Sequence, residues 1–408
     1  MAAWATAKGI DVLATADFTH PKWLREMSDK LEPAESGLFR LKAKFQAEDG
    51  NQSYSPAPMP SQPRETRFML STEISCIYKK GGRARRQHLV ILMPSIAAVR
   101  RLVGAFEKRK FNLASDGRPI LGLDAKEAVK MALDADSESL VIPAHAWTPW
   151  FSVFGSESGF DLLDECFDEM VPHIHAIETG LSSDPPMNWR LSKLDSVMLV
   201  SNSDAHSLNN LGREANAMDL DDLSYSAIVD VLRRRDRERF LFTVEFFPEE
   251  GKYHVDGHRA CGYSCLPETT EKLKGLCPKC GKEVTRGVLG RVHELADRPD
   301  GSEPEGRVGF RRVVPLEEII AASMGKGRAS KSVTALYAKL VAGLGPEFEI
   351  LLDLPTERIA AVAGGRLAEA VARMRAGKLA LVPGYDGVYG QVKIFGDEGR
   401  SAQGRLLI

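Results

Sequence analysis

The sequence has no apolar run near the roughly 18 residues that a membrane-crossing helix needs. That excludes an α-helical membrane protein. Its first residues, MAAWATAKGIDVLATAD, show no basic region followed by an apolar core, so no secretory signal is read there. No charge of either sign is in excess: 54 Lys and Arg face 56 Asp and Glu, for a formal net charge of −2. Overall charge therefore demands no nucleic-acid partner, and any basic surface has to be local. Cysteine is scarce, six in 408 residues, which excludes a disulfide scaffold. Internal repeats and low-complexity tracts are absent as well. What remains, at 43% hydrophobic and 27% charged residues, has the balance of a globular enzyme, expected in the cytoplasm.

The length exceeds one ordinary domain but suits one barrel with a small addition. Over residues 1–245, short β-branched runs alternate with amphipathic stretches. DVLATAD (11–17), RFMLSTEISCIY (67–78), QHLVILMP (87–94), SLVIPAHA (139–146), HAIETG (175–180) and VMLVSNSDAH (197–206) read as strands. SIAAVRRLVGAFEKR (95–109), AKEAVKMALDADS (125–137) and DLLDECFDEMVP (161–172) read as helices. This alternation predicts an α/β fold with a largely parallel sheet, and polar residues at the strand ends favour a barrel with its site at one rim. A Gly- and Cys-rich insert fills 246–300, and 301–408 reads as a helical domain. A hairpin turned by Asp386–Gly387 closes that domain.

Two constellations carry chemistry. Cys261, Cys265, Cys277 and Cys280 form two close pairs, and paired thiolates on tight loops suit one structural zinc. Cys76 and Cys166 lie in apolar patterns and read as core. The second set is dispersed: Asp17, His20, Glu73, His88, His145, Glu178, Asp204 and His206 all fall at or near predicted strand ends. Singly, each suits a hydrogen-bonded core residue. Together, imidazoles and carboxylates at one rim are a ligand mixture for Zn²⁺, Mn²⁺ or Fe²⁺, with hydrolysis as its use. Asp204 and His206, two apart on a strand, would share a face.

The strings ADFTHP, STEIS, HLVIL, PAHAWTPWFSVFGSESGF, ETGLSSDPPMNWR, SNSDAHS, LGREAN and EFFPEEGKYHVDGHRAC resemble the PHP (polymerase and histidinol phosphatase) superfamily, and within it endonuclease Q. The resemblance covers nearly the whole chain. It implies a distorted (β/α)7 barrel holding two or three divalent ions (Zn, Mn or Mg). It also implies DNA cleavage on the 5′ side of a deaminated base (uracil, hypoxanthine, xanthine) or an abasic site. Asp17, Glu73, His88, His145, Asp204 and His206 match the ligand motifs, with His20 as a further candidate. Asp204, His206 and Glu73 would be catalytic. Phe18 stands where the superfamily usually has His after Asp. PHP proteins also open with a strand carrying His-x-His, whereas this sequence opens at Met1 in what resembles the helix after it. The first strand and two ligands are thus expected to be missing, leaving residues 1–408 poorly stable and nearly inactive alone.

Weaker patterns complete the reading. Met324-GKGRASKS falls short of a phosphate-binding loop and follows a helix, so no nucleotide cofactor is expected. Lys326 and Arg328 are instead assigned to DNA phosphate. KKGGRARR (79–86) is either a solvated hairpin tip or a phosphate contact. Trp147 and Trp150, just past His145, are candidates to stack on a flipped base or to pack in the core. Gly364–Gly365 separates two short helices in the manner of a helix-hairpin-helix. The expected partner is DNA containing deaminated bases, a sliding clamp is a further candidate, and no membrane is involved. A small-molecule phosphoesterase and a DNA-binding protein with impaired catalysis stay open as alternatives.

Overall fold

A mixed seven-stranded sheet organises the first half of the chain in the computed structural model, which describes residues 1–46 and 57–396. Its strands are β1 (Val12–Ala14), β2 (Leu31–Pro33), β3 (Phe39–Leu41), β4 (Arg67–Lys80), β5 (Arg83–Met93), β6 (Ile120–Leu121) and β7 (Leu140–Pro143). The order is β2-β3-β4-β5-β7, with β1 and β6 both parallel to β4. The expected largely parallel sheet gives way here to antiparallel pairing of β4 with β5 and β5 with β7. Gly81 and Gly82 set the first of these pairings. Both sit at positive φ (59° and 74°), the pair of left-handed residues that a two-residue hairpin needs, and they join Lys80 directly to Arg83.

Shorter sheets follow. β8 (Ala176–Glu178) and β9 (Met198–Val200) pair in parallel, and β10 (Ala215–Met218) pairs antiparallel with β11 (Phe240–Glu245). In the insert, β12 (Asp256–His258) and β13 (Tyr263–Cys265) form a small hairpin. β14 (Gly309–Arg312) then returns to pair in parallel with β11, so the region beyond the insert contributes a strand to the α/β half. Among the described residues these sheets do not close into one hydrogen-bonded barrel.

Helices cover the sheets where their apolar spacing predicts. In Ile96–Lys108, Val99, Leu102, Val103 and Phe106 form one buried stripe, and Ser95 caps the first turn by accepting from the Ala98 amide at 3.1 Å. Ala125–Ala135 is capped likewise by Asp124. The helix expected over 161–172 is only Leu163–Phe167. It stops at Asp168 (φ 45°), and a 3-10 turn containing Pro172 follows.

The C-terminal helices Leu316–Met324, Lys331–Leu344, Glu347–Leu352, Thr356–Ala363 and Gly365–Arg375 surround Ile319, Ile320, Leu340, Val341 and Leu351. The N-terminal helix Ala2–Lys8 joins this core, with Trp4 stacked on Tyr337 at 6.1 Å. Lys8 and Glu347 form a buried ion pair at 2.6 Å, and Glu347 also accepts from the Tyr337 hydroxyl at 2.8 Å and the Leu316 amide at 3.0 Å. β15 (Ala380–Val382) and β16 (Gln391–Lys393) form the last hairpin. Its tip is the expected Asp386–Gly387 turn, at φ 42° and 84°. No described helix is long and apolar enough to cross a membrane.

Candidate metal centre and the cavity around it

Three side chains from three segments converge. Glu73 comes from the middle of β4, His88 from β5 and His145 from the loop after β7. Glu73 Oε1 lies 2.8 Å from His88 Nδ1 and 3.5 Å from His145 Nε2, and the two nitrogens are 2.9 Å apart. Donors bound tetrahedrally at about 2.0–2.2 Å to one ion stand about 3.3–3.6 Å apart. The triangle therefore fits a divalent cation after small relaxation, and its oxygen–nitrogen set suits zinc or manganese.

The surroundings orient these donors. Thr148 Oγ1 is 3.1 Å from His145 Nδ1, so the Nε2 edge is the one that faces Glu73 and His88. The His145 amide donates to Glu178 Oε2 at 2.6 Å, and Glu178 Oε1 accepts from Asn202 at 2.8 Å. Arg118 holds its guanidinium 3.2 Å from Glu73 Oε1. Burial works to raise the Glu73 pKa, but hydrogen bonds from His145 and His88 outweigh it and hold the carboxylate well below its ordinary range. Burial lowers His88. It acts the same way on His145, where Glu73 overcomes it and the net shift is upward. Burial pushes Glu178 up to about 7, against the pull of His145 and Asn202.

The other predicted ligands lie apart from this triangle. Asp17, Asp204 and His206, with Glu73, His145 and Glu178, line one cavity of about 2670 Å³. Strand residues from β1, β4, β5, β7, β9, β10 and β11 also face it. Asp204 and His206 are both exposed, and His206 Nδ1 lies 2.9 Å from the Asp204 carbonyl. Arg213 fixes that loop by donating to the carbonyls of Ser203 (2.7 Å) and Asp204 (3.0 Å). His20 caps the helix Pro21–Lys30 without a side-chain bond, while Phe18 is fully buried in the core. Backbone strain gathers here. Ala16, Asp17, His145, Phe151 and Asp204 all have positive φ, between 29° and 62°, where non-glycine residues rarely sit unless held for a purpose.

The insert holds a second donor group, and it differs from the four-cysteine expectation. His258, Cys261, Cys277 and Cys280 bring their donor atoms within 4.8 Å of one another. Cys265 is not among them. It sits on β13, buried beside Tyr263 and Cys277, with its Sγ 3.2 Å from Thr270 Oγ1. The sequence held the signal: His258-Arg-Ala-Cys261-Gly262 repeats the form of Cys277-Pro-Lys-Cys280-Gly281. Each loop ends in a left-handed glycine (φ 55° and 71°) whose amide bonds back three or four residues. Counting cysteines alone hides this repeat.

Of the residues assigned to DNA, Trp147 is 1% exposed and donates to Asn188 at 2.7 Å, so it is core. Trp150 is 37% exposed. Arg328 is bound to Glu317 (2.9 Å) and Glu318 (2.8 Å). Lys326 is exposed, 3.0 Å from Ser332 Oγ. In the KKGGRARR tip, Lys80 pairs with Asp168 at 2.8 Å, while Arg85 lies over the Phe160 ring at 4.0 Å. Sequence reading passed over Arg118, Thr148 and Asn202. None carries a motif signal of its own, although Asn202 immediately precedes the Ser203–Asp204 pair.

The C-terminal helices, over residues 315–378, match the family described as MJ0043 C-terminal domain. An uncharacterized protein of Methanocaldococcus jannaschii is 30% identical over 252 residues, covering 61% of this chain but only 31% of that protein, so the chain spans under a third of it. An uncharacterized protein of Bacillus subtilis is 28% identical over 389 residues, 95% of this chain and 89% of the relative. Among solved structures, a lesion-specific endonuclease from Pyrococcus furiosus superposes with a TM-score of 0.81 at 30% identity, covering 98% of this chain and 90% of that one. An endonuclease Q in complex with a 27-mer duplex, an abasic lesion at its active site, gives 0.79 at 30% identity, covering 97% and 92%. With that identity sustained over nine-tenths of a solved relative's length, the chain belongs to the endonuclease Q family.

Proposed function

We propose that this protein is a DNA-repair endonuclease that uses divalent metal to cut the phosphodiester on the 5′ side of a deaminated base or abasic site. One observation carries the reading: Glu73, His88 and His145 converge to within 3.5 Å, with Glu73 and His145 on the wall of a large cavity, in a chain of the endonuclease Q family. The relative solved with a lesion-containing duplex supports DNA as the partner.

Glu73, His88 and His145 would hold one ion, and Asp17, Asp204 and His206 would complete a site for two or three in all. Such ions supply Lewis-acid stabilisation of phosphoryl charge and lower the pKa of water. The chain's own groups do the rest. Glu73 stays ionised between two imidazoles, and Thr148 keeps His145 turned toward it. Arg118 offers a cation at the cavity wall for the scissile phosphate. Arg213 holds the strained Asp204 loop in place. In this reading the sheets around the cavity are the distorted (β/α)7 PHP arrangement, and the group His258, Cys261, Cys277 and Cys280 binds a structural zinc.

On its cavity side, β1 has a strand edge without a partner among the described residues. A strand carrying His-x-His, laid along it, would bring two further imidazoles to the site. The test is a panel of end-labelled duplexes (undamaged, uracil, hypoxanthine, xanthine and abasic) run beside a small phosphomonoester. Both residues 1–408 and a form extended by such a strand are assayed. Cutting 5′ of the lesion supports the reading. Turnover of the monoester alone would support a small-molecule phosphoesterase, and lesion binding without cutting by either form an impaired DNA-binding protein.

A further inference from the structure

A line of aromatic rings leads from the candidate metal centre to the surface. The His88 ring lies 4.8 Å from Phe151. The preceding residue, Trp150, meets Tyr253 edge to face at 5.6 Å. The Lys252 ammonium sits 5.6 Å from the Tyr253 ring and 5.9 Å from the Tyr389 ring. Trp150 is 37% and Tyr389 72% exposed.

The three rings come from three separate parts of the chain, and backbone bonds lock the Tyr253 and Tyr389 segments together. Gly384 donates to the Glu249 carbonyl at 2.8 Å, Val255 to Gly384 at 3.1 Å, Gly387 to Lys252 at 2.9 Å and Gly390 to Glu250 at 3.1 Å. Asp386 accepts from the Arg259 amide at 2.6 Å and from Thr285 at 2.7 Å. Gly390 is required by this approach, since a Cβ there would collide with the Glu249 carbonyl. Tyr389 thus stands on a fixed loop with its ring in solvent. Cations flank the line: Lys252 between two rings, Arg259 beside the Asp386–Gly387 turn, and Arg86 at 5.8 Å from Phe151. Exposed rings interleaved with cations next to a phosphodiester-cutting site suit nucleobases and the phosphates that join them.

We propose that Trp150, Tyr253 and Tyr389 form a base-stacking ridge that fills the gap left in a duplex when a lesion nucleotide moves into the cavity. This rests on the endonuclease reading above and adds to it the surface that holds the duplex open. A nucleotide drawn out of the stack leaves its neighbours with exposed faces, and rigid aromatic rings cover them whatever the sequence.

The test measures binding of the full chain to a short duplex with one abasic-site analogue and 2-aminopurine as the adjoining base, against the undamaged duplex. Tyr389→Ala should weaken lesion binding about tenfold and abolish the 2-aminopurine response, while binding to the undamaged duplex stays unchanged. Tyr389→Phe should behave as wild type, because stacking needs the ring and not the hydroxyl. Trp150→Ala should repeat the effect of Tyr389→Ala. Wild-type lesion preference and an unchanged 2-aminopurine signal in Tyr389→Ala would overturn the ridge alone. Absence of lesion preference in the wild-type chain would overturn the endonuclease reading beneath it.

Discussion

Glu73 has to remain a carboxylate where burial opposes charge, and it does so because two imidazoles face it within 3.5 Å. Replacing it by Gln keeps the shape and removes the charge. Glu73→Gln should lower divalent-ion affinity more than about tenfold, as for a lost metal-site group, measured by isothermal titration. Lys8→Ala tests a pair far from that site. It would leave Glu347 buried without its cation, and unfolding in urea should show a loss of about 3–5 kcal/mol. His254 gives a pH prediction. Burial holds its pKa down at about 4, against an unfolded value of 6.5. The unfolded chain therefore takes up a proton before the folded one does. The resulting stability is complete above pH 6.5, declines on acidification, and has lost its roughly 3 kcal/mol by about pH 4. His254→Asn should flatten that decline in thermal melts. At this scale the sequence was legible where a motif names a residue, as at Glu73 and His145. It was silent where partners are distant: Trp147 and Trp150 share one string, yet only Trp147 meets Asn188, 41 residues on.

Elements were legible where local pattern decides them. The stripe of Val99, Leu102, Val103 and Phe106, the Ser95 cap and the Asp386–Gly387 turn all appear as their spacing predicts. Strand direction in the large sheet was half read: KKGGRARR was placed at a hairpin tip, as the left-handed Gly81–Gly82 pair shows, but the alternation of strands with helices pointed to a largely parallel sheet where β5 pairs antiparallel with both β4 and β7. The insert was half read. Its thiols pointed to a cluster that could hold a metal, but the His258 loop was masked by the nearby Cys265. The proposed zinc site makes this testable by metal analysis of purified variants. His258→Ala and Cys277→Ala should each lose one equivalent of zinc, whereas Cys265→Ala should keep it. Retention by His258→Ala together with loss by Cys265→Ala would restore the four-cysteine set.

For the whole molecule, the sequence divides at the insert, but the structure ties the parts across that line. The helix Ala2–Lys8 lies in the C-terminal core, and β14 extends the β10–β11 sheet. Arg291 in the helix Val288–Leu295 donates to the Phe154 and Phe160 carbonyls at 3.0 and 3.2 Å, seating the insert on the loop that follows His145. The candidate metal triangle, the cavity and the aromatic line therefore share one framework. The claim that this framework is a lesion-directed, metal-dependent endonuclease is tested most directly by nicking of a duplex with a single abasic or uracil site, with and without divalent ion, against the same duplex undamaged. The account predicts one cut 5′ of the lesion that requires the ion and disappears in Glu73→Gln. Equal cutting of damaged and undamaged duplexes, or cutting that survives both chelation and Glu73→Gln, would contradict it.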